Sequence, residues 1–325
     1  MLDLPRLERI RLNGRPRVQR VVGWSLLVPN YELLPGVEIG LEHAERLPPE
    51  PVLFAMNHTD RYNYWPFQYR LWRPHQRFTA TWVKGKYYQN AFVAKFMELT
   101  NNIPTVSRGY LISRDFLNTV GRLPSQHEYA ALRALVESGA TGALGVPQEV
   151  LTEPRDMLGR PFDPARETWA TALDQLFRTM MRRFVDLNAQ AFDKGLDVLV
   201  FPQGTRSVRL SRGHVGLAQI ALKLRKSIVP VGCSGCDKCY PSGSPVARKG
   251  KIVYRLGEPI SYEEMARFHV PDFEPFTPEA ETAHRESFQG LVDLVMQRIN
   301  DLVDEPYKWS DAQSSDGVQG TSRFV

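Results

Sequence analysis

Short apolar runs alternate along the chain with longer stretches in which apolar residues recur every three or four positions. Residues 51–56 (Pro-Val-Leu-Phe-Ala-Met) read as a buried strand ending at Asn57-His58. Residues 77–83 alternate as a half-buried strand does, and 103–107 form a short third one. Residues 197–201, 227–232 and 251–256 supply three more, the first entered from Gly195 and the last closed by Gly257. Helical periods lie between them: Trp169, Leu173, Leu176, Met180, Phe184 and Leu187, and later Phe288, Leu291, Val295, Ile299 and Leu302. Both are core-facing stripes rather than cofactor boxes. Continuous apolar strands suit a sheet covered on both faces, and their alternation with helices predicts an α/β fold with a single-layer, mainly parallel sheet.

The same pattern suggests the domain plan. Residues 1–45 form a basic amphipathic region, with Arg6, Arg9, Arg11, Arg15, Arg17 and Arg20 set among Leu2, Leu4, Leu7, Ile10 and Leu12. Such an arm suits either solvent or a surface of anionic lipid headgroups. Residues 46–305 carry the strand and helix pattern. Within them, 110–165 are rich in Gly and Pro, lack one clear period, and read as an insertion with a short helix over 128–137. Residues 306–325 are polar and read as a disordered tail.

Composition narrows the classes. With 325 residues, 42% of them hydrophobic, the chain is no disordered segment. The net charge of +5 weakly favours an anionic partner. No apolar run approaches the roughly 18 residues of a membrane-spanning helix; the longest, 21–29, is interrupted by Gly23, Trp24 and Ser25. Three cysteines, Cys233, Cys236 and Cys239, form a C-x2-C-x2-C run. A structural zinc site wants four ligands, so His214 or another group would have to complete one; the other reading is reduced thiols after a strand. There is no G-x-S-x-G elbow, Walker A loop, G-x-G-x-x-G or H-E-x-x-H, which argues against a serine hydrolase, P-loop enzyme, Rossmann dehydrogenase or zincin. A nucleic-acid role lacks any recognised module or aromatic-interleaved basic patch.

Three polar blocks remain. Asn57-His58-Thr59-Asp60-Arg61-Tyr62-Asn63 follows a strand, where α/β sheets place their sites. Ile103-Pro104-Thr105-Val106-Ser107-Arg108-Gly109 is the second, and Phe201-Pro202-Gln203-Gly204-Thr205-Arg206-Ser207 the third, again after a strand. Arg108 and Arg206, each a planar fork of donors, suit a shared phosphate. In this order the blocks resemble those of the glycerolipid acyltransferases, typified by 1-acylglycerol-3-phosphate acyltransferase. That family carries Asn-His-x4-Asp, an Arg-bearing block, and Phe-Pro-Glu-Gly-Thr-Arg-Ser. Ile228-Val229-Pro230-Val231 and Gly257-Glu258-Pro259-Ile260 resemble its later blocks, so the likeness spans about residues 50–260.

The resemblance implies transfer of an acyl group from acyl-CoA or acyl carrier protein to a lysophospholipid hydroxyl, with lysophosphatidic acid giving phosphatidic acid. His58 would be the general base, and Arg206 with Arg108 would hold the acceptor phosphate together with Gln203, Gly204 and Thr205. It implies no cofactor or metal beyond the acyl donor, no nucleic acid, and a cytoplasmic enzyme peripheral on the membrane. Since a lysolipid is met at an interface and the chain shows no spanning run, attachment is expected through residues 1–35, including Trp24, Leu26 and Leu27. Two family acids are amides here, Asn63 and Gln203. An amide orients an imidazole but adds no charge to stabilise an imidazolium; in the serine-protease triad the same exchange of Asp for Asn lowers turnover about ten-thousandfold. Asp60 is therefore expected to serve as the acidic partner of His58. The amides also motivate a second reading, an inactive or weak relative that binds phospholipid or acyl groups.

Overall fold

The computed structural model describes residues 1–33, 36–138, 145–241 and 243–309. In chain order the first elements are α1 (Leu4–Arg9), α2 (Arg17–Val22) continued by π-helical turns at Gly23–Leu27 and Pro29–Leu33, β1 (Val37–Glu42) and β2 (Leu53–Met56). Then come α3 (Tyr64–His75), β3 (Thr79–Lys84), α4 (Ala91–Leu99), β4 (Asn102–Thr105) and α5 (Arg108–Val120). The segment α6 (Gln126–Ser138), α7 (Gln148–Thr152), β5 (Arg155–Met157) and β6 (Arg160–Phe162) leads into the long helix α8 (Trp169–Asp193). The chain closes with β7 (Asp197–Val200), α9 (Gly216–Leu224), β8 (Ile228–Ser234), α10 (Cys236–Cys239), β9 (Gly250–Leu256), α11 (Pro278–Ala283) and α12 (Arg285–Leu302).

Seven strands make one sheet in the order β1-β9-β8-β2-β7-β3-β4, every neighbouring pair parallel except β8 with β9. The protein is thus an α/β fold with a mainly parallel sheet. The period of two along each strand divides the core. Leu53 and Ala55 of β2 and Val198 and Val200 of β7 pack on the face covered by α8, α9 and α12. Phe54, Met56 and Leu199 point the other way, toward Phe67, Leu71 and Trp72 of α3. Helix α8 follows the expected apolar stripe for 25 residues, and the Thr168 hydroxyl caps it by accepting from the Thr171 N–H. It ends at Gly195, whose φ of +73° turns the chain into β7.

A buried ion pair ties the amino-terminal ends of three strands together. Asp197 accepts from Arg77 Nε at 2.9 Å and from the Val52 N–H at 3.0 Å. Breaking such a pair leaves a charge without a partner in the interior.

All six expected strands are present, and the expected helix over 128–137 is α6. Three expectations change. First, the insertion is not loosely appended: Leu132, Val150, Met157 and Phe162 lie in the main core, and Arg155 pairs with the buried Asp115. Second, Tyr307, placed in the polar tail by sequence, is buried and donates to Asp237 at 2.6 Å; residues 310–325 of that tail lie outside the described residues. Third, the amino-terminal arm is part of the core. Leu2, Leu7, Ile10 and Leu12 are buried, and Arg183 of α8 donates to the carbonyls of Leu7 and Ile10. The reason is geometric: α1 sets its leucines against α8, while Arg6 pairs with Glu98 of α4 and Arg9 faces outward, so the amphipathic pattern serves the protein's own interior.

Leu7→Ala is therefore expected to lower unfolding stability by about 2–5 kcal/mol, as a core truncation does. Urea denaturation followed by circular dichroism measures it, and a change within about 0.5 kcal/mol would mark a solvated arm instead.

Candidate active site

Strands β2 and β7 are parallel neighbours, with Ala55 level with Val200. Their carboxyl ends lie at one edge of the sheet, where strand order switches sides around β2. The chain leaves β2 as Asn57-His58 and β7 as Phe201-Pro202-Gln203, so the first and third polar blocks meet by register alone.

The His58 backbone is held on both sides by the third block. Its N–H donates to Gln203 Oε1 at 3.1 Å, and its carbonyl accepts from the Ser207 N–H at 2.8 Å. The ring stacks on Phe201 with centroids 4.0 Å apart and planes 19° from parallel. Nδ1 lies 3.1 Å from Asn63 Oδ1. The Asn63 amide nitrogen donates to the Asn57 carbonyl at 2.7 Å, which fixes the amide oxygen toward the ring. Because an amide oxygen only accepts, Nδ1 must carry the ring proton. Nε2 is left as the unprotonated acceptor of a ring that lines a cleft of about 1040 Å³. Asn57 is itself anchored on β8: its side chain donates to the Cys233 carbonyl and accepts from the Cys233 N–H at 2.9 and 2.7 Å.

The two amides that stand where the resembling family has acids make the same pair of bonds. Gln203 offers its oxygen to His58 and its amide nitrogen to Ser211 Oγ at 3.1 Å and the Arg209 carbonyl at 3.3 Å. Asn63 offers its oxygen to the His58 ring and its nitrogen to a carbonyl. A carboxylate in either place would set an oxygen against an acceptor.

The expected pairing of Asp60 with His58 is not what the structure has. Asp60 Oδ1 accepts from the Tyr62 N–H at 2.7 Å and Oδ2 from Thr59 Oγ1 at 2.9 Å, closing a local turn that swings Asn63 under the ring. Burial raises the Asp60 pKa, opposed by those bonds and by one from the Cys236 thiol. Cys236 is raised in turn, by burial first, so its thiol is protonated. Cys233 and Cys239 are buried with it. Among the described residues no group of three or more His, Cys, Asp or Glu is arranged to hold a metal ion.

Arg108 also departs from expectation. It begins α5, where Ser107 caps the helix, and its guanidinium donates to Asp174 of α8 at 2.9 Å and lies 4.2 Å from the Phe177 ring centre. It does not line the cleft, and neither does the buried Gln203. Gly204, Thr205 and Arg206 do. Gly204 has a φ of +66°, and a Cβ there would stand 2.8 Å from the His214 ring. The cations that join Arg206 in the cleft are Arg61, from the first block but given no role there, and Lys84 and Lys86, which belong to none of the three blocks. Lys84 closes β3, a position at the same edge of the sheet that could have flagged it. Burial lowers the Lys86 pKa, and the nearby charges of Arg206 and Arg61 lower it further. Against these stand two carboxylates in the wall, Asp60 and Asp237, each already hydrogen-bonded. The rest is largely apolar, including Trp65, Trp82, Phe96, Met97 and Leu217.

These charges bear on His58. Burial pushes its ring down to about 3; the Asn63 bond opposes this, while Arg206 and Lys84 add to it. The imidazole is therefore neutral throughout the physiological range.

No family model matches the chain, and no curated protein sequence matches it. Among solved structures it is similar to the crystal structure of the 1-acyl-sn-glycerophosphate (LPA) acyltransferase, PlsC, from Thermotoga maritima. The identity is 14% and the TM-score 0.37, over 88% of this chain and 79% of that one. Among the described residues no helix is long and apolar enough to cross a membrane.

The ring bonding sets a pH expectation. Nitrogen-15 NMR should show His58 as the neutral Nδ1–H tautomer from pH 8 down to pH 5. Asn63→Asp, by placing a negative charge beside Nδ1, should move the ring pKa upward from about 3. An unchanged titration in that variant would mean that residue 63 does not contact the ring.

Proposed function

We propose that the protein is an acyltransferase that moves an acyl group from a thioester, acyl-CoA or acyl carrier protein, to the hydroxyl of a lysophospholipid, with lysophosphatidic acid as the best-matched acceptor. The observation that carries this reading is His58 itself: a neutral imidazole, its proton fixed on Nδ1 by Asn63, with Nε2 left to accept a proton in a cleft that joins four cations to an apolar wall. An amphiphile with an anionic head and an acyl tail fits that division. A nucleic acid or a small neutral metabolite leaves half of it unused.

His58 Nε2 takes the acceptor hydroxyl proton as the oxygen attacks the thioester carbonyl carbon. Collapse of the tetrahedral intermediate breaks the carbon–sulfur bond, and the leaving thiolate takes the proton from the imidazolium. Protons and electrons balance without a cofactor. Because no carboxylate among the described residues is hydrogen-bonded to the ring, the imidazolium gains little stabilisation, and proton removal must accompany carbon–oxygen bond formation. Arg206, with Lys84, Lys86 and Arg61, holds the acceptor phosphate, the part first expected of Arg108. The chain's attachment to a membrane surface follows from such a substrate.

The test is thiol release from acyl-CoA and acyl carrier protein donors across a panel of lysolipids. His58→Ala should lower acceptor-dependent release by about 10²–10⁴-fold. Arg206→Ala should raise KM for lysophosphatidic acid about tenfold, more than for an acceptor without phosphate. Tight lysolipid binding with no release from any donor would favour the inactive, lipid-binding relative that the two amides motivate.

A further inference from the structure

Leu2, Leu7 and Leu12 at the start of the expected membrane arm are buried, while Val21 and Trp24, within the same residues 1–35, are exposed, and a second apolar face lies beside them. Helix α4 buries only Ala94 and Met97. Phe92 is 88% exposed, Leu99 43%, and Phe96 and Val93 each 37%. Phe92, Phe96 and Leu99 recur at i, i+4 and i+7, so they form one stripe along the helix. Val93 and Phe96 also line the cleft, so the stripe runs into its mouth. Phe96 further lines a small groove shared with Gln19, Val22, Gly23 and Leu27, which sets the α2 segment beside α4. That segment exposes Val21 and Trp24 at 63% and 57%. Trp24 is held in place by an edge contact with Trp72 at 5.5 Å and by the Arg73 guanidinium 4.8 Å from its ring.

The charges around this face are cationic. Arg17 and Arg20 are exposed on α2, Lys95 is exposed within the α4 stripe, and Arg61 and Lys86 lie at the cleft. Its carboxylates are already paired, Glu98 with Arg6 at 2.9 Å and Glu32 with Arg73 at 3.0 Å. Exposed aromatic and aliphatic side chains ringed by cations match a lipid leaflet bearing negative headgroups. They match a protein partner less well, since an exposed apolar stripe continuous with a ligand cleft would have to stay uncovered for the ligand to enter.

We infer that α4, with Val21 and Trp24, is the surface that seats the cleft mouth on an anionic phospholipid leaflet. The inference rests on the amphiphile proposed for the cleft and names where that amphiphile enters. Phe92 and Leu99 enter the acyl region, Trp24 lies at headgroup level, and the cations meet phosphates. The amino-terminal leucines take no part.

Co-sedimentation with vesicles of phosphatidylcholine and phosphatidylglycerol in equal parts, against phosphatidylcholine alone, tests this on the full chain. No acyl donor is present, so the outcome is independent of whether acyl transfer occurs. Wild type should bind the anionic vesicles more tightly, and added salt should weaken that binding. The double variant F92S/L99S should lower the partition coefficient about tenfold or more. Neither residue lines the cleft and both are exposed, so the variant should keep its circular dichroism. Leu123→Ser, at an exposed apolar residue beyond the far end of α5, should bind as wild type does. Equal binding by F92S/L99S and wild type, or an equal loss in Leu123→Ser, would overturn the inference. So would a wild-type dimer that F92S/L99S abolishes without any vesicle binding, because the stripe would then face a second copy of the chain.

Discussion

The site depends on one arrangement around His58: the loop after β7 holds its backbone by hydrogen bonds and stacks Phe201 on its ring, while Asn63 in the loop after β2 bonds to Nδ1. Neither grip works alone. Gln203 and Ser207 set where the residue sits; Asn63 and Phe201 set how its ring is turned. Asn57 joins both to β8 through a side chain that mimics a strand neighbour. Gln203 and Asn63 each direct the amide oxygen to His58 and the nitrogen to another oxygen, a carbonyl or the Ser211 hydroxyl. Amides at 63 and 203 thus pair with the carbonyls of Asn57 and Arg209, where carboxylates would set oxygen against oxygen. The chemistry that follows is that of a well-oriented but weakly basic imidazole.

Much of this is legible in the residues. Strands buried on both faces announce themselves as short apolar runs, and all six expected are present. Strand β1 escapes that pattern because an edge strand buried on one side shows only Val37, Ile39 and Leu41 alternating with two Glu and a Gly. Helix α3 is hidden by its prolines, Pro66 and Pro74, and α4 by being short and apolar on both its buried and its exposed sides, which blurs the amphipathic signal. Helix α5 is lost inside a segment that reads as insertion, although Ser107 is an ordinary cap for it.

The candidate site divides in the same way. His58 and the third block are legible because each directly follows a buried strand, where α/β sheets place their sites. Which side chain meets which is not. Asp60 and Asn63 differ in sequence by three positions, and only the local Asp60–Tyr62 turn decides that the amide reaches the ring. Arg108 and Lys84 show the limit of residue type: both are cations after strands, but one meets Asp174 on a helix far along the chain and the other meets the cleft. The amino-terminal leucines do form one side of an amphipathic segment, but not a lipid-facing one, because amphipathicity says nothing about which apolar phase receives it.

Strand β7 lies between β2 and β3, yet follows them in the chain by more than a hundred residues, and the bond from His58 to Gln203 spans 145 positions. Until residues near 207 have been synthesised, β2 lacks its neighbour, β3 pairs only with β4, and the ring of His58 has neither its stacking partner nor its backbone anchors. A ribosome-bound chain of half length therefore holds apolar strand faces with open edges and no assembled site. Closing such a distant pairing is slow compared with local helix formation and leaves those edges exposed to other chains meanwhile. The late strand that completes the site is also the step at which the nascent protein is most open to misassembly.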